Sequence, residues 1–173
     1  MKKYLTIIAV VLLAVVSCGK FEPGGTATQE FAGQWQVVCY AVDANEDVLY
    51  VDPFDVGEFM AMTYNAMQNY PDSIFFSCPC DPDHEFTALV PVTKAGKFGL
   101  DDTDFLNYES GNAVSVWGGE ILKGAATTPS GMPADSIHVS FNVAGDAYVG
   151  AVYDHLVIAG FRYTGFKADE PLE

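Results

Sequence analysis

Positive charge is scarce in this chain. Eight lysines and arginines stand against 23 aspartates and glutamates, giving a formal net charge of −15. Nucleic acids and anionic lipid headgroups are bound through clusters of Lys and Arg, so the balance excludes both as partners. Long apolar runs are missing as well: the longest, Tyr4 to Val16, falls short of the roughly 20 residues that span a bilayer as a helix. Only three histidines occur, His84, His138 and His155, and they are scattered. No Gly-x-Ser-x-Gly elbow and no His-Glu-x-x-His pair is present, which removes the commonest local signatures of serine hydrolases and zinc proteases.

What is present begins at the N-terminus. Met1-Lys2-Lys3 is a short basic region, the stretch to Val16 has signal length, and Ser17-Cys18-Gly19 supplies small residues around a cut, the pattern of an export signal. Val15-Val16-Ser17-Cys18 resembles a bacterial lipobox, which implies cleavage before Cys18 and acylation of that cysteine. Two or more acyl chains give stable membrane attachment where one does not. The expected organisation is a lipoprotein signal peptide over 1–17, an acylated Cys18 and flexible tether over 18–29, one folded domain over 30–167 and a tail over 168–173. Pro23, Gly24, Gly25 and the Thr/Ala alternation after them offer no core to the tether. The expected location is the cell envelope, anchored by lipid to the outer membrane on its periplasmic or surface face.

Cys39, Cys78 and Cys80 remain once Cys18 is assigned to the anchor. Disulfides are permitted in an exported protein, and an odd number cannot all pair within one chain. Either Cys39 bridges to Cys78 or Cys80, or all three are buried or half-buried thiols. A bridge within Cys78-Pro79-Cys80 would be strained.

Period-two alternation dominates the rest. Ser136 to Val143 alternates without a break, and Phe86, Ala88, Val90 and Val92 share one side of their segment, as on strands with one dry face. Gln34–Val42, Val48–Val51, Ser73–Cys78, Ala113–Leu122 and Leu156–Phe166 are further candidates. Turn residues separate them, as in Asp43-Ala44-Asn45-Glu46-Asp47 and Thr128-Pro129-Ser130-Gly131. The segment Glu58 to Tyr64 fits either a helical stripe or a strand, and its surroundings favour strand. Eight or nine short strands with no interleaved helices predict an all-β fold, an antiparallel barrel or a sandwich. A barrel of about eight strands is just wide enough to be filled by side chains or to hold one small ligand.

Chemistry-bearing residues are sparse. Cys78, Cys80, Asp81, Asp83, His84 and Glu85 form the densest ligand-like group, but one residue between cysteines is poor spacing for zinc. Asp101, Asp102 and Asp104 lack the ligand period of a calcium loop. Solvated turns explain both, and neither a metal nor a cofactor is expected. Asp154-His155 with one of several serines could form a triad only if the fold assembled it. Arg162, among apolar neighbours in the last strand, needs compensation for its charge. An up-and-down barrel pairs its first and last strands, so Arg162 could cover the Trp35 ring, with Gly33 letting the backbone turn tightly beneath them.

Taken in order, the lipobox, Gly33-Gln34-Trp35, Thr63-Tyr64-Asn65, Asp72-Ser73-Ile74, Gly119-Glu120-Ile121-Leu122, Asp135-Ser136-Ile137 and Gly160-Phe161-Arg162-Tyr163-Thr164-Gly165-Phe166 resemble a family of Bacteroidetes lipoproteins. These are described as lipid-binding putative hydrolases with a calycin-like barrel. The likeness spans about Phe31 to Phe166; Cys78-Pro79-Cys80 and the Met-rich Phe59 to Met67 fall outside it. It implies an eight-stranded calycin-like barrel that binds an apolar small molecule, and it supplies no catalytic residues. The ligand-contact candidates on predicted strands are Met60, Met62, Phe75, Trp117, Phe141 and Tyr148, with Arg162 as partner for a fatty-acid carboxylate if it does not simply close the barrel. The alternatives are a hydrolase of lipid-like esters and a structural accessory of envelope assemblies.

Overall fold

Alternation along one strand sets the architecture. In β1 (Gly33–Val42), Trp35, Val37, Cys39 and Ala41 are all buried and share one face, because successive side chains of a strand point to opposite sides. The computed structural model describes residues 25–93 and 96–170 of the chain. Nine further strands follow: β2 (Val48–Val51), β3 (Phe59–Tyr64), β4 (Ser73–Cys78), β5 (Phe86–Pro91), β6 (Lys97–Phe98), β7 (Asp104–Leu106), β8 (Ala113–Thr127), β9 (Pro133–Val143) and β10 (His155–Arg162). The signal segment, Cys18 and most of the expected tether lie outside the described residues.

All ten strands join one antiparallel sheet, in the order β5-β4-β3-β1-β10-β9-β8-β6, with β2 on β1 and β7 on β8. β2 and β3 share one edge of β1, at Tyr40–Val42 and Gly33–Val37 respectively. β6 and β7 likewise share one edge of β8. The wall therefore has eight strand positions. It comes round on itself where β5 meets β6 and β7, through the Val92–Phe98 bridge, Gly99 N to Pro91 O at 2.9 Å and Tyr108 N to Thr87 O at 2.8 Å. The result is a nearly closed antiparallel barrel of eight strands. β1 pairs with β10 over its full length, Trp35 opposite Arg162 and Val42 opposite His155.

The barrel is filled. Trp35, Phe76, Phe86, Phe98, Phe141, Ile74, Leu156 and Ile158 are buried inside it, with Phe76 edge-on to Phe86 at 5.3 Å and to Phe98 at 5.6 Å. Three thiols belong to the same core: Cys39, Cys78 and Cys80 are buried and free. Burial pushes the Cys39 and Cys78 thiols well up from their ordinary value, and Cys80 Sγ lies 3.3 Å from His84 O.

Some expected boundaries shift. Glu58 to Tyr64 contains strand β3, so period two wins over the helical stripe. The domain starts before Glu30: Thr28 and Phe31 are buried, Thr26 Oγ1 bonds Asn65, and Ala27 N donates to Asn69 Oδ1 at 2.8 Å. Short polar side chains thus dock a stretch whose composition suggested tether. The expected tail also docks, through a 3-10 turn at Lys167–Asp169. Asp169 is fully buried, accepting from Ser130 N at 2.8 Å and Thr164 Oγ1 at 2.6 Å.

Candidate functional site

The two ends of the barrel differ. At one end, where Thr26 to Ala32 enter, Trp35 Nε1 donates to Thr63 Oγ1 at 2.8 Å and the Arg162 guanidinium carbon lies 4.6 Å from the centre of the Trp35 ring. Arg162 also donates to Ala32 O at 2.8 Å and to Asp135 Oδ2 at 3.1 Å. Partial burial alone would raise the Asp135 carboxyl, but the Gly124 N–H, Lys123 and Arg162 hold it below its usual range. Gly33 leaves room for the guanidinium here, because a Cβ would sit 2.8 Å from Arg162 Nη1 and push the end of that side chain aside. With ring, carboxylate and carbonyl around it, the guanidinium's charge is compensated and the end is stoppered.

The opposite end is a mouth. Here β2 and the loops after β2, β4 and β9 gather around a cleft of about 390 Å³ walled by Tyr50, Pro53, Phe54, Tyr148, Val152 and Tyr153, with Asp81, Asp83 and His84 on its acidic side. His84 is almost wholly buried. Its Nδ1 lies 2.7 Å from Asp81 Oδ2, its Nε2 lies 3.2 Å from Asp146 Oδ2, and Phe54 stacks on the ring at 4.2 Å. Tyr153 OH donates to Asp146, and burial together with that bond raises the phenol above its ordinary pKa. The chain Asp81–His84–Asp146–Tyr153 ties the β4–β5 loop to the β9–β10 loop, so the polar side of the cleft is built rather than loose.

The strand bordering this cleft, β2, is uncovered on both faces, with Tyr50 on the cleft side. Val48, Leu49, Tyr50 and Val51, the whole of β2, are 44–63% exposed, and Val56, Tyr148 and Val152 are exposed next to them in the mouth loops. Isolated exposed apolar side chains are ordinary, whereas a contiguous set marks a binding surface.

The sequence-predicted contacts are dispersed. Phe141 is in the filled interior, its ring 5.1 Å from Phe86. Tyr148 is at the mouth. Met60, Met62, Phe75 and Trp117 are on the outside of the wall, contrary to the expectation of an interior pocket. Parity explains this: Ala61 and Thr63 face inward on β3, Ile74, Phe76 and Cys78 on β4, and Val114 and Val116 on β8, so their large neighbours must face out. Outside, Phe75 stacks on Tyr64 at 5.4 Å, and Trp117 lies 5.2 Å from the His155 ring. Gly33, Trp35 and Arg162 meet at the stoppered end, and Cys18 lies outside the described residues.

Sequence reasoning missed Tyr50, Phe54, Val152, Tyr153 and the role of His84. One signal was available. Val48-Leu49-Tyr50-Val51 does not alternate, a pattern proper to strands buried on both faces, yet it sits between turns too short to cover it.

No histidine forms a triad among the described residues. His155 Nδ1 contacts Asp154 Oδ2 at 2.9 Å, its Nε2 is 3.3 Å from Glu46 Oε2 without hydrogen-bond geometry, and neither buried imidazole hydrogen-bonds a hydroxyl or thiol. The described residues hold no group of three or more His, Cys, Asp and Glu arranged for a metal.

The fold and its two unlike ends define a filled, stoppered β-barrel with an apolar mouth. Residues 20–167 match the family described as Lipid-binding putative hydrolase, and the chain belongs to that family. No curated protein matches the chain. The lipid-binding family and the barrel fold together support a lipid-binding role.

Proposed function

We propose that this protein is an envelope lipoprotein, anchored through acylated Cys18, that holds an uncharged lipid-like molecule at the mouth of its barrel. The observation that carries the reading is the exposed strip Val48–Val51 beside the Tyr50, Phe54, Tyr148 and Val152 cleft, set against an interior already occupied by aromatic rings. Laying an acyl chain along that strip would remove apolar surface from water at roughly 25 cal/mol per Å². Asp81, Asp83 and Asp146 beside it disfavour a carboxylate or phosphate headgroup. The described N-terminal stretch, Ala27 to Ala32, joins the domain at the end opposite the mouth.

Displacement of Nile red from the full chain by a monoacylglycerol tests the binding. Val152→Asp and Tyr148→Asp should each weaken it at least tenfold; unchanged affinity in both variants would refute the site. For the anchor, the mass of the N-terminal peptide from membranes should show acylated Cys18, and an unmodified Cys18 refutes it. Binding is favoured over hydrolysis because carboxylates, not a nucleophile, flank His84 and His155. Turnover of acyl esters that His84→Ala abolishes would reverse that preference.

A further inference from the structure

We propose that a second site, on the outer wall beside the C-terminal segment, binds a primary ammonium group carried on an apolar chain. A groove of about 430 Å³ runs there between Gln36, Glu58, Phe59, Met60, Tyr163 and Glu170. It shares no residue with the mouth and does not rest on the function proposed for it.

Gln36 is the unusual member. By parity it faces out from β1, between Met60 of β3 and Phe161 of β10, yet it is only 2% exposed. Its Nε2 donates to Glu58 Oε2 at 2.6 Å, while its Oε1 has no partner among the described residues. Buried amide carbonyls are nearly always paired, so an orphan of this kind calls for an explanation. Turning the amide over gives no relief, because the carbonyl would then face the Glu58 carboxylate. Gln34, on the same outward face of β1, also lines the groove, but Gln36 Oε1 accepts nothing from it, which leaves a molecule entering the groove as the donor assigned here.

The groove's other polar groups define that donor. Glu58 and Glu170 both contribute carboxylates, and Glu170 Oε1 also accepts from Tyr163 OH at 3.2 Å. Two anionic acceptors and one neutral acceptor match an ammonium head, which carries three N–H donors and one positive charge. Phe59 and Met60 supply apolar surface for the attached chain. An alcohol would satisfy one acceptor and neither charge. A carboxylate would be repelled.

Calorimetric titration of the full chain with octylammonium chloride, octan-1-ol and octanoate tests the assignment, with the Gln36 side-chain amide followed by NMR. Saturable octylammonium binding is expected, at least tenfold tighter than octan-1-ol, with no binding of octanoate and a shift of the Gln36 amide resonance. Glu58→Gln, a change at an exposed residue that leaves the fold intact, should weaken octylammonium about tenfold, the scale of one charge-assisted hydrogen bond. Gln36→Leu should do the same. The mouth variant Val152→Asp should leave it unchanged. Equal affinity for octan-1-ol, undiminished binding in Glu58→Gln, or loss of binding in Val152→Asp would each overturn the proposal, the last by moving the ligand to the mouth.

Discussion

Replacing Phe141 by alanine separates a filled barrel from a hollow one. The side chain is fully buried, and its ring is 5.1 Å from Phe86 in the interior. In a packed core such a truncation costs about 3–5 kcal/mol, the sum of lost transfer energy and an uncollapsed cavity. At roughly 3 °C per kcal/mol for a domain of this size, the melting temperature should fall by about 9–15 °C. Urea unfolding of the full chain gives the first figure, provided the slope of free energy against denaturant is unchanged. Nile red affinity at the mouth should stay within about twofold, because Phe141 lies in the sealed interior rather than among the cleft residues. The vacated space should also accept benzene, as apolar cavities do, and benzene should recover part of the lost stability. A stability loss below about 1 kcal/mol combined with lost dye binding would refute the reasoning, since it would mean that Phe141 lines a ligand cavity.

Two glycines should respond unequally to alanine. At Gly160 a Cβ would lie 2.0 Å from the Gln36 carbonyl oxygen, backbone that cannot yield, whereas at Gly33 it would meet the end of the Arg162 side chain at 2.8 Å. Gly33→Ala should cost about 1–3 kcal/mol, as overpacking usually does, and Gly160→Ala distinctly more; the reverse order in urea unfolding contradicts the packing described. Asp169 is held down to about 2, chiefly by the Thr164 hydroxyl. A lowered folded pKa contributes stability above the ordinary carboxylate value of about 4 and loses it as pH falls toward the folded value. Asp169→Asn should therefore destabilise the protein at neutral pH and flatten the decline of the urea midpoint below about pH 4; an unchanged acid limb would contradict this. Cys39, Cys78 and Cys80 should react with Ellman's reagent only on unfolding, because all three are buried away from the reagent and burial disfavours the thiolates of Cys39 and Cys78. Fast labelling of any of these three in the native protein would refute their placement.

Where one face of a strand is dry and the other wet, the sequence revealed the strand and its facing. β1, β4, β5 and β9 were legible in this way, and so was the meeting of Trp35 and Arg162, because the first and last strands of a closing sheet must pair. β6 and β7 were not legible, being only two and three residues long and held by their pairing with β8 rather than by any pattern of their own. The candidate site was obscured for a different reason. Candidates were picked by size and apolarity, which brought in Met60, Met62, Phe75 and Trp117 from the outer wall. The mouth was built instead by loops distant in sequence, around Phe54, His84 and Tyr153, and no local pattern records which loops meet.

The docked ends carry a related lesson. Thr28 and Asp169 sit in stretches whose composition suggests solvent, yet both are buried, because one or two partners satisfy each: Asn65 for Thr28, and the Thr164 hydroxyl with the Ser130 amide for Asp169. Hydrogen bonds of this kind depend on three-dimensional proximity, which composition cannot supply.

Paramagnetic relaxation in the full chain, caused by a spin-labelled long-chain alcohol, tests the central claim most directly. Resonances of Tyr50, Tyr148 and Val152 should broaden, while those of Val116, Val139 and Ile158 inside the barrel should stay sharp. Broadening centred on the interior residues, with the mouth unaffected, would contradict the account.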